Sequence, residues 1–483
     1  MIPRRTFLAA MSSSSLLALT GLSSCKSAPQ PRRFGPMDTI RLGFLGLRGR
    51  GNDLLGSFRR IPGVCVAALC DVDRDVLDKR MAEAAKLGER PTAYRDPRRL
   101  LEDAYIDAVV IATPNHLHAI LGIWTMQAGK HLYLEKPVSH NVFEGRQLVA
   151  AAARYGAIVQ AGTQNRSDQG LIAAYADLHR GALGTIQSMH GICYRDRQGI
   201  GKRNDPLPVP TSVDYECWLG PAADLPIYRN QFHYDWHWMW NTGNGDVGNQ
   251  GPHELDMLCW ALKDPGLPTR VQAIGGRYGY DDAGETPNVL ACFFEYGTVP
   301  VCFEVRNLVP KQRTDYHGLD STGVVITTER GELRAQRGGA VFVDRDGKTV
   351  QTYRGDSGGQ HQANFIAALR AGSSDSLRAP LAASHASAAL AHYANASLRI
   401  GRAGTLADAQ QTASQLPGLA EHVDRIGINL AGHGVDLSQP KLGIGACLSI
   451  DGATELVRGE HASAANALLR RDDRPGYVVP TLA

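Results

Sequence analysis

Residues 46–51, GLRGRG, concentrate three glycines and two arginines directly after an apolar run. Gly46 and Gly51 fill the outer positions of a G-x-G-x-x-G pattern, which gives a tight turn and lets a helix pack closely on a strand. Arg48 occupies the middle position, where a Cβ would push a phosphate outwards, although Gly49 beside it restores access and an arginine can pair with phosphate charge. The pattern predicts a dinucleotide phosphate site, and on its own it is equally typical of a plain glycine-rich turn.

Asp71 ends the next apolar run, VCVAALCD. A carboxylate at the end of this strand, about 20 residues after a glycine-rich turn, is placed to accept hydrogen bonds from an adenine ribose. The alternative role is a helix cap, shared with Asp73 and Asp75. Because a carboxylate suits a free ribose diol and would repel a 2′-phosphate, Asp71 favours NAD over NADP as the cofactor.

The elements that must position these residues alternate along the first part of the chain. The strand-like runs TIRLGFLG, VCVAALCD, AVVIAT, HLYLE and AIVQAG are separated by helical patterns such as DVLDKRMAEAAKLG. This alternation predicts an α/β fold with a doubly wound parallel sheet, the Rossmann arrangement, over residues 38–160. Further along, strand-like runs follow one another across turns. Residues 161–483 are therefore expected to form a substrate-binding α/β domain with a large, mostly antiparallel open sheet.

The composition is that of a globular protein of two or three domains. Of the 483 residues, 43% are hydrophobic and 20% are charged, and the formal net charge of +3 gives no basic stripe. Nucleic acid is therefore not an expected partner. The cysteines show no CxxC or Cys/His ligand spacing, and His116 and His118 have no evident third ligand, so no metal site is expected.

The first 25 residues resemble a twin-arginine export signal. Arg4 and Arg5 precede a short Ser-rich apolar stretch, and residues 22–25, LSSC, resemble a lipobox in which Cys25 is lipidated. Residues 1–25 are thus expected to direct the folded protein to the periplasm, and the Pro-rich residues 26–37 to form a tether. The alternatives are an ordinary cleaved signal or a disordered start. Membrane contact is expected only through this leader or a lipid anchor.

Three stretches resemble the glucose–fructose oxidoreductase and inositol dehydrogenase family, also called Gfo/Idh/MocA. They are ATPNHLHA at 112–119, YLEKPVSHN at 133–141, and a block at 234–262 that is similar to the substrate-site segment of the family's secreted, twin-arginine-exported branch. The resemblance implies an active site between the two domains and a small carbohydrate substrate, and a homo-oligomer is expected. The candidate NAD contacts in these stretches are Thr113, Asn115, His118, Glu135 and Lys136.

In this family, the Glu-Lys-Pro motif closes the nucleotide domain and brings its lysine to the nicotinamide. The motif here is Glu135, Lys136 and Pro137. Hydride transfer from a carbinol requires a group that removes the hydroxyl proton, and burial beside a positive ring would depress the pKa of Lys136 enough for this role. The alternative role of Lys136 is a salt bridge with Glu135.

His253 is the second acid–base candidate, because dehydrogenases of the family carry Asp-x-x-x-His, a spacing that sets both side chains on one helical face. Asn249 stands in the aspartate's position here. An amide can hold a substrate hydroxyl or orient His253, but it cannot take up a proton. Simple dehydrogenation is therefore in question, and Lys136 and His253 remain the expected acid–base pair, with Asn249 beside them.

Further contacts are expected from polar and aromatic residues after the fifth strand. Aromatic faces can stack on the C–H face of a sugar ring, and the alternative is a cluster that seals the domain interface. Gln164 is a further candidate for the cofactor. The remaining candidates for the substrate are Asn165, Tyr194, Arg195, Trp236, His237, Trp238 and Asp246.

These features leave three interpretations open. The first is an NAD-dependent oxidoreductase that acts on a carbinol of a sugar or sugar derivative and can recycle its tightly bound cofactor in the site. The second is a glycoside hydrolase that uses a transient NAD-dependent oxidation and elimination, as some relatives do, and that needs no pair of glycosidase carboxylates. The third is a non-catalytic sugar-binding lipoprotein, which Arg48 in the phosphate turn favours.

Overall fold

The computed structural model describes residues 29–308, 316–319 and 321–483. The expected export signal, Cys25 and residues 26–28 lie outside these ranges. Among the described helices, none combines the length and hydropathy that crossing a bilayer requires. Part of the expected tether packs on the first sheet, since Phe34 is buried and His131 Nε2 donates to the backbone oxygen of Arg32 at 2.9 Å.

The first sheet has six parallel strands in the order β3-β2-β1-β4-β5-β6, which confirms the Rossmann prediction. The strands are β1 Ile40–Leu45, β2 Val64–Cys70, β3 Thr92–Tyr94, β4 Ala108–Ile111, β5 His131–Leu134 and β6 Val159–Ala161. The helices are α1 Gly49–Arg59, α2 Arg74–Lys86, α3 Pro97–Glu102, α4 His118–Gln127 and α5 Val142–Tyr155. Helices cover both faces, which is why the inner strands are continuous apolar runs.

The second sheet has twelve strands in a mixed arrangement. Strand β10 pairs in parallel with β7, while its other neighbour β9 and the pairs from β11 to β14 are antiparallel, so the prediction of a mostly antiparallel sheet is confirmed. The strands are β7 Ile186–Cys193, β8 Arg270–Gly276, β9 Val289–Tyr296, β10 Val299–Arg306, β11 Thr322–Thr328, β12 Gly331–Gln336, β13 Gly339–Asp344, β14 Thr349–Arg354, β15 Arg402–Gly404, β16 Leu442–Ile444, β17 Leu448–Asp451 and β18 Leu456–Arg458. The helices of this part are α6 Gln169–His179, α7 Tyr215–Leu219, α8 Gly245–Asn249, α9 Gly251–Ala261, α10 His361–Ala371, α11 Leu381–Arg399, α12 Leu406–Ala413, α13 Leu419–Gly432 and α14 Ala462–Leu468.

Strand β9 shows how helices cover both faces of the large sheet. Cys292 and Phe294 lie in a core cluster with residues of α9 and α11, whereas Ala291 and Phe293 lie in a cluster with residues of α12 and α13. Successive side chains of a strand point to opposite faces, so the apolar run of β9 is buried on both sides. Helix α11 also contacts α5 and β6 of the first domain, which fixes the layer between the two sheets.

The core of the first domain includes segments from the end of the chain. Phe365 of α10 is fully buried in the same cluster as residues of β1 and α1, and Val479 joins the cluster that contains residues of α4 and α5. The backbone N–H of Ala483 donates to Oε1 of Gln147 at 3.0 Å. The packed unit around the first sheet therefore extends beyond the expected range of 38–160.

Candidate active site

A cavity of about 520 Å³, here called the interdomain cavity, opens at the carboxyl ends of β1, β2, β4 and β5 and is closed by loops of the second domain. In open α/β sheets, ligands bind at this end of the strands. The cavity brings together many of the residues expected to contact cofactor or substrate. These are Gly46, Arg48, Gly49, Asp71, Thr113, Asn115, His118, Glu135, Lys136, Trp236, His237 and Asn249.

The glycine-rich turn has space beside it where a pyrophosphate would lie. Gly46 has a φ of +84°, and a Cβ at this position would lie 2.7 Å from the backbone oxygen of Ala112. A Cβ at Gly51 would lie 1.9 Å from the backbone oxygen of Gly46, whereas a Cβ at Gly49 would meet no atom within 4 Å. The outer glycines therefore serve the turn and the packing of α1. The space beside Gly49 suits the close approach of a phosphate.

Asp71 holds the turn in place while it lines the cavity. Its Oδ2 accepts from the backbone N–H of Leu47 at 2.8 Å, and its Oδ1 accepts from that of Asp73 at 2.9 Å. Burial raises the pKa of Asp71 to about 6, although these two hydrogen bonds oppose the shift. The alternative role as a helix cap belongs to Asp73, whose side chain accepts from the backbone N–H of Asp75. Since a carboxylate has about four acceptor positions, Asp71 retains capacity for ribose hydroxyls.

Two buried acceptor atoms in the cavity lining point to a polar ligand. Thr113 Oγ1 and Asn115 Oδ1 have no hydrogen-bond partner within the described part of the chain, and buried polar groups are usually paired. The ring nitrogens of His118 are instead occupied, at 2.6 Å from the backbone oxygen of Pro137 and 2.9 Å from that of Thr113. With the space at Gly49 and the acceptors of Asp71, these atoms fit a dinucleotide.

Lys136 follows β5 and is bound by a residue of the second domain. Its Nζ donates to the backbone oxygen of Asn249 at 2.6 Å and lies 3.2 Å from Oδ1 of the same residue. Burial lowers the pKa of Lys136, and the negative charge of Glu135 opposes the shift only in part. Glu135 accepts instead from Arg50 Nε at 2.7 Å and from Gln164 Nε2 at 2.9 Å. The carboxylate next to the lysine is thus engaged elsewhere.

Asp246 orients the side chain of Asn249 through a hydrogen bond. Asn249 Nδ2 donates to Asp246 Oδ1 at 3.0 Å, and Arg197 donates to both carboxylate oxygens at 2.8 and 3.1 Å. Asn307 Nδ2 donates to Oδ2 at 2.7 Å, and Asp246 is fully buried. We expected Asp246 to contact the substrate, but protein donors fill its acceptor positions. The structure therefore gives it a positioning role, in which it turns the amide oxygen of Asn249 towards Lys136.

Asn249 ends α8 and His253 lies in α9. One residue, Gln250, separates the two helices, and it has right-handed helical φ and ψ of −86° and −44°, so the spacing of Asn249 and His253 is kept across the junction. Pro252 has no N–H to continue the helical hydrogen bonds. Burial, and next the charge of Lys136, lower the pKa of His253 well below its ordinary value, so the imidazole is neutral. Its Nδ1 is buried and has no hydrogen-bond partner among the described residues.

The aromatic loop at the cavity wall is held in a strained turn. Tyr234 has φ +67° and ψ −50°, and the backbone N–H of Asp235 donates to the oxygen of His233 at 2.9 Å. This is the γ-turn with positive φ, which is rare. His237 stacks on Trp236 with ring centroids 3.6 Å apart. Its Nδ1 lies 2.5 Å from the backbone oxygen of Tyr234, which leaves Nε2 as the acceptor of a neutral ring.

Several predicted substrate contacts lie away from the lining of the interdomain cavity. Asn165 Nδ2 is 3.1 Å from the sulfur of Met257, and the ring of Tyr194 packs under the guanidinium of Arg306 at 3.7 Å. Trp238 is buried. Arg195, the fourth predicted substrate contact outside the cavity lining, is exposed. Side-chain packing in the second domain, rather than the cavity, accounts for the contacts of the first three.

The structure also adds residues that sequence reasoning missed. Trp218 of the short helix α7, Gln231 and His233 line the interdomain cavity, and His233 Nε2 lies 3.0 Å from Oδ2 of Asp73. His233 directly precedes the aromatic block, so its position in the sequence was the one available signal. Trp218 lies in a separate segment, and nothing in its local pattern links it to the site.

Comparison with known proteins agrees with this geometry. Residues 40–163 match the sequence profile of the Gfo/Idh/MocA oxidoreductase family, NAD-binding Rossmann fold, and residues 184–298 match the profile of its C-terminal alpha/beta domain. The first match confirms the prediction of an NAD-binding Rossmann domain.

Similar curated proteins match over part of their length. A glycosyl hydrolase family 109 protein of Shewanella pealeana is 34% identical over 168 residues, which are 31% of this chain and 37% of that protein. Inositol 2-dehydrogenase 1 of Saccharopolyspora erythraea is 28% identical over 180 residues, which are 37% of this chain and 52% of that protein. The chain thus aligns with between a third and about half of the length of these two relatives.

Solved structures share the fold. The WlbA dehydrogenase from Bordetella pertussis, crystallised with NADH and UDP-GlcNAcA, is 20% identical with a TM-score of 0.53, and covers 73% of this chain and 94% of its own. GenD2 from gentamicin A biosynthesis, in complex with NAD, is 19% identical with a TM-score of 0.55, and covers 75% of this chain and 95% of its own. These structures show the fold alone, and the two profile matches show that the chain belongs to the Gfo/Idh/MocA family of oxidoreductases.

Proposed function

We propose that this protein is an NAD-dependent oxidoreductase that acts on a carbinol of a sugar or sugar derivative in the interdomain cavity. The observation that carries this proposal is the environment of Lys136. A neutral lysine amine has two hydrogens and one lone pair, and Asn249 offers two oxygen acceptors within 3.2 Å of Nζ. The two hydrogens are directed to Asn249, so the lone pair remains to take a proton from a substrate hydroxyl.

The residues around the glycine-rich turn would hold the cofactor. Asp71 would accept from the adenine ribose, the turn at Gly49 would take the pyrophosphate, and Thr113 and Asn115 offer buried acceptors further into the cavity. NAD, when bound, supplies the hydride acceptor. His237 lines the interdomain cavity with Lys136, whereas His253 is not among its lining residues. Burial lowers the pKa of both histidines, so both rings are neutral. Either ring could take up or return a second proton.

A second candidate function is a glycoside hydrolase that oxidises, eliminates, hydrates and then reduces its substrate. Two observations favour it. The similar Shewanella protein is a glycosyl hydrolase family 109 protein, and position 249 carries an amide instead of a carboxylate. An amide beside the reacting carbon does not repel the negative charge that develops when a C–H proton next to a carbonyl is removed.

One experiment separates these functions. We expect purified protein to release close to one NAD per chain on denaturation, because a cofactor that cycles within the site need not dissociate. Sugar release from glycosides without net change in nicotinamide absorbance would support the hydrolase, whereas net absorbance change with free sugars would support the oxidoreductase. Protein that is purified without NAD and fails to bind added NAD would contradict both functions. The remaining interpretation would then be a non-catalytic sugar-binding protein.

Export, anchoring and assembly are part of the same proposal. The paired arginines and the LSSC sequence support twin-arginine export and lipidation at Cys25, with the protein held at the periplasmic face of a membrane. We also propose a homo-oligomer. Cell fractionation of wild type and Cys25→Ala tests the anchor, since the variant should leave the membrane fraction, and light scattering of the purified protein tests the assembly.

A further inference from the structure

A second cluster of reactive side chains lies on the face of the large sheet that α12 and α13 cover. His190 of β7 and Cys302 of β10 are direct neighbours in the parallel pairing of these strands, and His422 of α13 packs over them. One ligand atom from each residue lies within 4.8 Å of the other two. Cys302 and His422 are fully buried, whereas His190 is partly exposed.

A carboxylate stands behind one of the two histidines. Glu304 is fully buried and follows Cys302 by two residues on β10, so both side chains are on one face. His422 Nδ1 lies 2.8 Å from Glu304 Oε2. Arg425 Nη2 lies 2.8 Å from the same Nδ1, and a guanidinium only donates. Nδ1 either donates its hydrogen to the carboxylate or accepts one from the guanidinium. Metal binding at Nε2 requires the first arrangement, in which the lone pair of His422 is on Nε2.

That lone pair points to the centre of the cluster. His422 Nε2 lies 2.6 Å from His190 Nδ1, so one nitrogen donates to the other in the metal-free protein. A histidine that donates its outer N–H to a carboxylate while its inner nitrogen faces a second histidine and a thiol has the arrangement of a metal ligand.

We propose that His190, Cys302 and His422 form a binding site for a divalent cation of the zinc class. Two imidazoles and one thiolate are a donor set that suits tetrahedral Zn²⁺. On binding, the metal bonds to Cys302 Sγ, to His422 Nε2 and to His190 Nδ1. The thiol proton leaves to solvent and the Nδ1 proton of His190 moves to its Nε2, so one proton is released for each ion. The partly exposed side at His190 leaves the fourth position to a water molecule.

The ligands come from two strands and a distant helix, which explains why the sequence predicted no metal site. The cluster is also separate from the proposed catalytic residues, because none of its three members lines the interdomain cavity. Its role would be to tie α13 to the sheet. The inference does not rest on the proposed oxidoreductase function.

Cobalt binding to the untagged full-length protein tests the site, because Co²⁺ bound to a thiolate has a sulfur-to-metal charge-transfer band. We expect one Co²⁺ per chain with this band, its displacement by Zn²⁺, and a higher melting temperature with Zn²⁺. Cys302→Ser should abolish the band. Glu304→Gln should weaken Co²⁺ binding by roughly 10- to 100-fold, the usual effect of losing a group that orients a ligand.

Cys292→Ser is the matched control, because Cys292 is an equally buried thiol on the neighbouring strand whose side chain lies on the opposite face. This variant should keep the band. If Cys302→Ser fails to fold, the spectra of the wild type and of His190→Gln test instead whether these residues bind Co²⁺. Wild-type protein without the band, a band that survives in Cys302→Ser, or Co²⁺ that Zn²⁺ does not displace would each overturn the assignment.

Discussion

The side-chain amine of Lys136 lies 2.6 Å from the backbone oxygen of Asn249 and 3.2 Å from its amide oxygen. One residue of the second domain thus provides two acceptors to the lysine that follows β5 of the first. The amide of Asn249 is also hydrogen-bonded to the buried carboxylate of Asp246 at 3.0 Å. A charge introduced at position 249 would lie beside Lys136 and would therefore change its proton affinity.

Removal of the lysine should abolish most of the chemistry and leave the cofactor in place. We expect Lys136→Ala to lower turnover on the order of a hundredfold or more, the usual scale for a positioned base, while the NAD content stays unchanged. Lys202→Ala is the control, because Lys202 is exposed and paired with Asp281. Full turnover in Lys136→Ala, measured on a panel of sugars and glycosides, would rule out the lysine as the base.

The pH dependence of turnover should report the depressed basicity of Lys136. Burial lowers the pKa of this amine, and the base must be neutral to act. We therefore expect the rate to rise with pH and then to reach a plateau. The midpoint of the rise should lie below the ordinary lysine pKa of about 10.4. Stopped-flow rates across pH measure this midpoint, and a midpoint at or above the ordinary value would contradict the neutral amine.

Asn249→Asp should make Lys136 harder to deprotonate. A carboxylate at this position would pair with the ammonium and would also face Asp246, so we expect the midpoint of the pH–rate profile to move to higher pH. At neutral pH, elimination should fall more than carbinol oxidation, because the new charge repels a developing negative charge. Asn249→Ala removes the amide without adding charge and should not raise the midpoint. Equal midpoints in the two variants would contradict this electrostatic account.

Asp71 should make NAD affinity depend on pH in the acidic range. Its pKa is raised to about 6, chiefly by burial, and an ionised carboxylate accepts ribose hydroxyls more strongly than a neutral one. NAD affinity should therefore increase as the pH rises through about 6. Asp71→Asn should flatten this increase, and Asp75→Ala, an exposed neighbour, should preserve it. Titration calorimetry at several pH values makes the comparison.

The same shift predicts the direction of a stability change. The pKa of Asp71 in the folded protein is above the ordinary value of about 3.9, so the folded state holds this proton more tightly than the unfolded state. The contribution of Asp71 to the free energy of unfolding should thus fall as the pH rises from about 4 to about 6. The difference in melting temperature between wild type and Asp71→Asn over this range measures it.

Asp246→Asn should lower the stability of the protein and leave substrate binding nearly unchanged. The change leaves the guanidinium of Arg197 without its buried counter-charge, and loss of one partner of such a pair costs about 3–5 kcal/mol. Thermal unfolding should show the loss, and KM should change little. Asp281→Asn is the control, because the side chain of Asp281 is 89% exposed. A large rise in KM with unchanged stability would restore Asp246 as a substrate contact.

Much of the fold could be predicted because buried parallel strands are continuous apolar runs. Strands β1, β2, β4, β5 and β6 were visible for this reason. The edge strand β3, Thr92–Tyr94, was not, because two of its residues are exposed and the third is only partly buried. Such a strand shows no apolar alternation. It pairs with β2 through backbone hydrogen bonds, which do not require particular residue types and so cannot be recognised in the sequence.

The candidate active site also contains features that could be predicted from the sequence and features that could not. Gly46 could be predicted because the local backbone geometry restricts residue type there, and the place of Asp71 could be predicted because it directly follows the buried apolar strand β2. The pairing of Arg197 with Asp246 joins separate segments of the chain, and neither residue signals its partner. The strained backbone of Tyr234 was equally hidden, since a positive φ at a tyrosine is enforced by the surrounding packing and not by its own propensity.

The contribution of Phe365 and Val479 to the core of the first domain affects the order of folding during synthesis. When the residues that form the first sheet have left the ribosome, the side chains that complete the core around that sheet have not been made. The nascent domain must therefore expose apolar surface until the final segment emerges, and such surface promotes aggregation. A fragment that ends after β6 would lack Phe365 and Val479 and should therefore aggregate more readily than the full chain.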